Sequence, residues 1–238
     1  MLTATVLANP RLATNPVLAT GTKSPERGPS EDGFAPLRKI GTVSSFARNK
    51  TIFNEGDAAE FSYKVIAGAV RLCKVLPDGR RQIAFFFMPG DYFGLGQAGE
   101  HAYTAEAVSD VTLACYARRR MEGLCDELPG VRKELVSRLH RDLSDAQKHL
   151  VMLGRQTAKE RVASFLLILV ERVRAKDGDT IDLPMGRQDI ADYLGLTIET
   201  VCRALSDLKR SKVISTPNTH QAVLHDIAAL HKTCENEL

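Results

Sequence analysis

At about residue 118 the apolar residues of this 238-residue chain change period, and no fold built from one kind of element accommodates both patterns. Before that point Gly and Pro recur roughly every ten residues, from Gly56 to Gly96. Eleven of the fourteen aromatic residues also lie there, between Phe46 and Tyr116. The runs between the breakers (61–66, 69–75, 82–87 and 111–116) are short and rich in β-branched and aromatic residues, as strands are. Pro77-Asp78-Gly79 separates two of them as a hairpin turn, Pro presetting φ and Gly accepting a positive one. Short strands at such spacing imply an antiparallel sandwich or barrel.

Beyond the change, Val131, Leu135, Leu139, Leu143, Ala146, Leu150 and Leu153 follow steps of three and four and form one helical stripe. A helix of about 24 residues is ~36 Å long. A near-heptad stripe of that length suits a seam between two chains, with packing against its own domain as the alternative. Gly154 interrupts the pattern and marks the boundary between the two halves. A helix over 157–174, a turn at Lys176-Asp177-Gly178-Asp179 and a short strand over 180–183 are expected next. Residues 1–36 hold five of the ten prolines and one aromatic, Phe34, too little apolar surface to offset ordering entropy, so they are expected to form a mobile arm.

Composition excludes more than it selects. A formal charge of +3 is too small to diagnose a nucleic-acid partner. The longest apolar run, Phe165 to Val170, is far short of the roughly 20 residues of a membrane span. The first residues lack the basic and apolar regions of a signal peptide. Five cysteines without a CxxC pair argue against a disulfide framework or zinc site, so a reducing cytoplasm is expected.

Residues 186–214 carry the chemistry. Ile190, Ala191 and Leu194 give a short helix its inward face, and Gly195 can take the left-handed conformation that stops it. Thr197 is placed to N-cap a second helix reaching about Lys212. Two short helices joined by such a turn make a helix-turn-helix, whose second helix enters the major groove of DNA. Residues 212–215 and 221–225 could pair as a β-wing across 216–219. Glu199 and Arg203, four apart, project from one face. Arg can bond guanine O6 and N7, and a carboxylate can accept from cytosine N4, so the two could read a G·C step. A surface ion pair between them is the alternative. Arg187, Gln188, Thr197 and Thr200 lie near helix starts, where phosphates are held, and Lys209, Arg210 and Lys212 add positive charge at the far end.

On these residues the chain resembles the Crp/Fnr family of bacterial transcription regulators, over roughly residues 37–230. Glu199-Thr200-Val201-Cys202-Arg203 is similar to the family's recognition-helix pattern. Gly68-Ala69-Val70-Arg71-Leu72, Asp78-Gly79-Arg80 and Pro89-Gly90-Asp91-Tyr92-Phe93-Gly94 resemble its cyclic-nucleotide-binding-type β-roll. The resemblance implies an α+β fold: an N-terminal double-stranded β-helix (37–128), a long dimerisation helix (129–153) and a C-terminal winged helix-turn-helix (154–238). It also implies a homodimer on palindromic DNA, contacts with RNA polymerase, and no membrane partner or catalytic residues. The Fnr-like and FixK-like branches are the most similar, with sites resembling TTGA and TCAA and target genes of microoxic respiration and nitrogen fixation.

Family members differ in what they sense. Leu95 stands where the cyclic-AMP binders carry a ribose-binding Glu, Tyr103 where they carry a phosphate-binding Arg, and Ala146-Gln147 where they carry Thr-Ser. Without the guanidinium a phosphate loses its strongest charge-assisted bond, so no cyclic-nucleotide response is expected. No Cys precedes Cys73, against the cluster-bearing branch, and Cys73 and Cys115 fall in strand-like runs expected to be buried. His101, the single His of the β-region, is a weak candidate for a haem ligand. No cofactor or metal is therefore assigned. Cys202 immediately precedes Arg203, where relatives carry Ser. A helix start and basic neighbours should lower its thiol pKa, so that its oxidation would set negative charge against phosphates. The alternative is a Cys that merely replaces Ser. Two further readings are a regulator whose β-roll binds an unidentified small molecule, and a cupin-like metalloenzyme. The latter lacks clustered His and Glu ligands.

Overall fold

The computed structural model describes residues 33–95, 99–173 and 180–235. Most of the expected arm, 1–32, lies outside that range. Its last residues do not behave as an arm: Ala35–Lys39 form a 3-10 turn, and Phe34 and Leu37 are buried against Tyr92, Tyr116, Met121, Cys125 and Val131. The apolar pair Phe34 and Leu37, three apart, is enough to dock one helical turn.

Eight strands build the N-terminal half: β1 (Thr42–Phe46), β2 (Thr51–Phe53), β3 (Phe61–Ala67), β4 (Val70–Val75), β5 (Arg81–Phe87), β6 (Tyr92–Phe93), β7 (Thr104–Ala107) and β8 (Val111–Ala117). They form two antiparallel four-stranded sheets, in the orders β1-β8-β3-β6 and β2-β7-β4-β5. Phe53, Tyr63, Val65, Val70, Leu72, Phe87, Phe93 and Leu113 fill the space between the sheets. The turn at Pro77-Asp78-Gly79 joins β4 to β5 as expected, with the Gly79 N–H donating to the Leu76 carbonyl and Gly79 at φ +83°.

The helical half begins at α1 (Arg118–Glu127), where the apolar period changes. Helix α2 runs Pro129–Arg155, about 40 Å at 1.5 Å per residue. Gly154 does not interrupt it. The glycine is exposed, one residue from the helix end, where its cost of about 1 kcal/mol is tolerated. Helix α3 (Ala158–Val173) starts at a capping box: Thr157 N–H donates to Glu160 Oε2 at 2.8 Å, and Glu160 N–H to Thr157 Oγ1 at 3.5 Å. Then come β9 (Thr180–Asp182), α4 (Arg187–Leu194), α5 (Ile198–Arg210), β10 (Ile214–Asn218), β11 (Gln221–Leu224) and α6 (Ile227–Glu235). β10, β11 and β9 make a three-stranded antiparallel sheet, and β10–β11 is the wing. Its turn falls at Thr219-His220 rather than across 216–219, because the Asn218 side chain accepts from the His220 N–H at 2.8 Å and closes the hairpin there.

The two halves share one apolar core. β4 is buried on both faces: Val70 and Leu72 point into the roll, while Ala69 and Cys73 join Ile83, Phe86 and Met88 against Phe165, Leu166, Ile190 and Tyr193 of the helical half. Cys73 is buried as expected, but at this junction, where burial pushes its thiol up to about 11.

The stripe on α2 divides between two faces. Val131 is 1% exposed within its own chain and so is not available to a partner, and the half-buried Leu135 packs against the same cluster. The open apolar positions are Val136, Leu143, Leu150 and Val151, at 46%, 57%, 72% and 60% exposure. Val136, Leu143 and Leu150 repeat every seven residues, and the half-buried Leu139, Ala146 and Leu153 repeat at the same interval three residues later. This is an a/d register.

Candidate nucleic-acid interface

Local chemistry places the two helices of the interface. Gly195 ends α4 in the left-handed region at φ +63°, ψ +38°, and Thr197 Oγ1 accepts from the Thr200 N–H at 3.2 Å as the N-cap of α5. Val201, Ala204, Leu205 and Leu208 form the buried face of α5 against α3 and α4. The helix ends two residues before Lys212, which itself takes φ +58° after the Ser211 cap.

That packing leaves Glu199, Cys202, Arg203, Ser206, Lys209 and Arg210 exposed. No ion pair joins Glu199 to Arg203 among the described residues, so the surface-pair alternative is not realised and both groups are open to a partner. The Glu199 carboxyl is held below its ordinary range by its own N–H and by the Thr197 hydroxyl, and it stays an ionised acceptor. Thr200 Oγ1 lies 3.0 Å from Thr197 Oγ1, and Ser206 Oγ donates to the Cys202 carbonyl at 2.8 Å.

The start of α4 borders this face. Gln188 is exposed, its amide donating to Asp192 Oδ1 at 2.7 Å. Arg187 is half-buried, and its Nη1 is a buried nitrogen with no hydrogen-bond partner among the described residues. Burial lowers the Arg187 pKa, and a thiolate at nearby Cys202 would oppose that shift. The rest of the Arg187 side chain is partly exposed at the first turn of α4, and a helix start with a cation beside it suits a phosphate. Among the described residues Lys209 has no ion-pair partner at the far end of α5, whereas Arg210 is tied to Asp207 at 3.0 Å.

In the β-roll, Leu95 packs beside Phe34, Leu37 and Tyr92, and Tyr103 packs on the core between the sheets. His101 is 3% exposed, stacked on Phe53 at 3.6 Å, with burial lowering its pKa. Among the described residues no group of three or more His, Cys, Asp or Glu side chains could hold a metal, and no helix is long and apolar enough to cross a membrane.

Two family models match this architecture: a cyclic nucleotide-binding domain over residues 43–127 and a Crp-like helix-turn-helix domain over 160–233. The nitrogen fixation regulation protein FixK of Bradyrhizobium diazoefficiens is 44% identical over 178 residues, covering 74% of this chain and 75% of that protein. The chain belongs to the Crp/Fnr family of transcription regulators. As a member it is a DNA-binding regulator, and α4–α5 is its helix-turn-helix. The transcriptional activatory protein AadR of Rhodopseudomonas palustris is 39% identical over 191 residues, covering 79% of each chain. The structure of FixK2 from Bradyrhizobium japonicum superposes with a TM-score of 0.78 at 40% identity, covering 82% of this chain and 97% of that one.

Sequence reasoning missed the charged residues of the domain junction, Arg71, Arg81, Asp189 and Asp192. The ion-paired residues are more than 100 positions apart, and no local signal couples them. It also missed Val136, which the seven-residue spacing of Leu143 and Leu150 would have located.

Proposed function

We propose that this protein is a homodimeric transcription activator that reads a TTGA/TCAA-like palindrome with one α5 helix per half-site. The observation that carries the reading is the exposed Glu199–Arg203 face, its two groups joined by no ion pair among the described residues, on a capped and packed helix. Arg203 bonds the guanine of TTGA and Glu199 its cytosine partner. Arg187, Gln188, Thr197, Thr200 and Lys209 hold phosphates around them. The open apolar heptad of α2 forms the seam between two copies, and RNA polymerase is the further partner. Nitrogen-fixation and microoxic-respiration genes are the expected targets, in line with the FixK relatives.

No cyclic nucleotide or iron–sulfur cluster controls the protein in this reading. Leu95 and Tyr103 offer an anionic nucleotide neither a carboxylate for its ribose nor a guanidinium for its phosphate. Control falls instead on Cys202. Its thiolate attacks peroxide, the O–O bond breaks, hydroxide leaves and the sulfur becomes a sulfenic acid; further peroxide yields sulfinate and sulfonate. The added charge faces the phosphates that Arg187 and Lys209 attract.

Fluorescence anisotropy with a TTGA/TCAA duplex and a scrambled control, at stated salt, tests the reading. Arg203→Ala is expected to lose roughly 1–3 kcal/mol of discrimination, about 5- to 150-fold. Wild type that binds both duplexes equally would refute it. Peroxide should abolish binding by wild type and spare Cys202→Ser; equal loss in both removes the role of Cys202. Calorimetric binding of cyclic AMP at micromolar concentration would refute the effector-free part. Native mass spectrometry showing a small molecule held in the roll would favour an effector instead.

A further inference from the structure

We propose that Arg71 and Arg81 of the β-roll are positioning residues for DNA reading: they hold α4, and through it α5, at the angle to α2 that a dimer needs to reach two half-sites at once. The proposal rests on the dimer-on-palindrome reading above and extends it to residues far from any base.

The outer face of β4 and β5 is covered by the helix-turn-helix, and its charges are matched across the junction. Arg71 donates from Nη1 to both carboxylate oxygens of Asp189, at 3.1 and 3.2 Å, and from Nε to Glu106 at 2.8 Å. Arg81 reaches Asp189 at 2.6 Å through Nη2, and Asp192 at 2.8 Å through Nε and 2.7 Å through Nη2. The Arg71, Asp189 and Asp192 side chains are 9%, 12% and 11% exposed. Such pairs are shielded from salt and demand defined geometry, because parting them strands a charge away from water. A buried ion pair often adds little net stability, so its consequence here is orientation.

The other end of α4 is gripped as well. The Tyr193 carbonyl meets His149 Nε2 at 3.0 Å and accepts from the Gln82 amide at 3.3 Å, while the Leu194 carbonyl accepts from Arg161 at 2.9 Å. His149 lies on α2 and stacks on Tyr193 at 4.1 Å. Strands β4 and β5 with α2 and α3 therefore fix both ends of the helix on which α5 packs. In a dimer joined along α2, this grip sets the separation of the two reading helices, which must match one turn of DNA, roughly 34 Å.

The test compares full-length wild type, Arg71→Ala, Arg81→Ala and Arg81→Lys on a palindromic duplex and on a duplex with a single half-site, at one salt concentration. Circular dichroism and sedimentation check that each variant remains folded and dimeric. Arg71→Ala and Arg81→Ala are each expected to weaken palindrome binding at least tenfold while half-site binding changes less than about twofold; Arg81→Lys, which keeps the charge but lacks the fork that spans Asp189 and Asp192, recovers only part of the loss. Equal weakening on both duplexes, no weakening, or Arg81→Lys no better than Arg81→Ala would each overturn the proposal. Wild type without preference for the palindrome removes the dimer reading and this proposal with it. Wild type with that preference and unaffected variants removes the positioning role alone.

Discussion

Truncating Leu150 to Ala tests whether the open face of α2 joins two chains. Complete burial of a leucine side chain contributes about 1.5–3 kcal/mol. Leu150 is 72% exposed in the single chain, so covering what remains open is worth roughly 1–2 kcal/mol per copy. A twofold interface loses that contribution twice, giving about 2–4 kcal/mol per dimer, or roughly 30- to 700-fold in dissociation constant. Leu143→Ala, starting from 57% exposure, falls somewhat below that range. Sedimentation equilibrium over a concentration series measures the constant directly. Val131→Ala is the contrasting variant: Val131 is buried within its own chain, so it should lower the melting temperature and leave dimerisation unchanged. If Leu150→Ala and Leu143→Ala associate as wild type does, the seam lies elsewhere and the heptad is only a solvated face.

Other expectations follow from single groups. Lys209→Ala should weaken binding to all DNA sequences alike and lower the salt slope by about one, as a phosphate contact does. Thr197→Ala removes the α5 cap and should cost about 1 kcal/mol in a denaturant titration. Gly195→Ala should cost roughly 1–2 kcal/mol; its added carbon meets only ordinary contacts at 3.6 Å, so the cost is that of a left-handed residue. Burial holds His149 and His101 below the usual histidine range, so the unfolded chain binds those protons more readily. Their contribution is complete above the unfolded value of about 6.5 and is lost as pH falls through and below it. Thermal melts at pH 7.5 and 5.0 should show that fall, and His149→Gln should reduce it.

Legibility in the sequence follows the range of the interaction that decides each feature. The helix-turn-helix was readable because Gly195 and Thr197 act within a few residues. Strands β3, β4, β5 and β8 were readable from their apolar runs. β1, β2 and β7 were not: they are short and carry outward-facing Thr42, Ser45, Thr51 and Glu106, so no run stands out. On α2, steps of three and four merged two faces into one stripe, because periodicity does not tell a face on its own β-roll from one left open. Only burial separated Val131 from Leu143. Arg71 was visible as part of a motif, but its partner Asp189 lies 118 residues away.

Strand β5 faces two ways, with Phe87 in the interior of the roll and Phe86 among the residues of the DNA-reading half. A displacement of this one strand is therefore felt on both sides. Linkage makes the effect mutual: a small molecule in the roll that changes operator affinity by some factor must itself be held more or less tightly by that same factor once operator is bound. The roll can then be searched for occupants from its opposite side, by asking what the protein retains in the presence of DNA and releases without it.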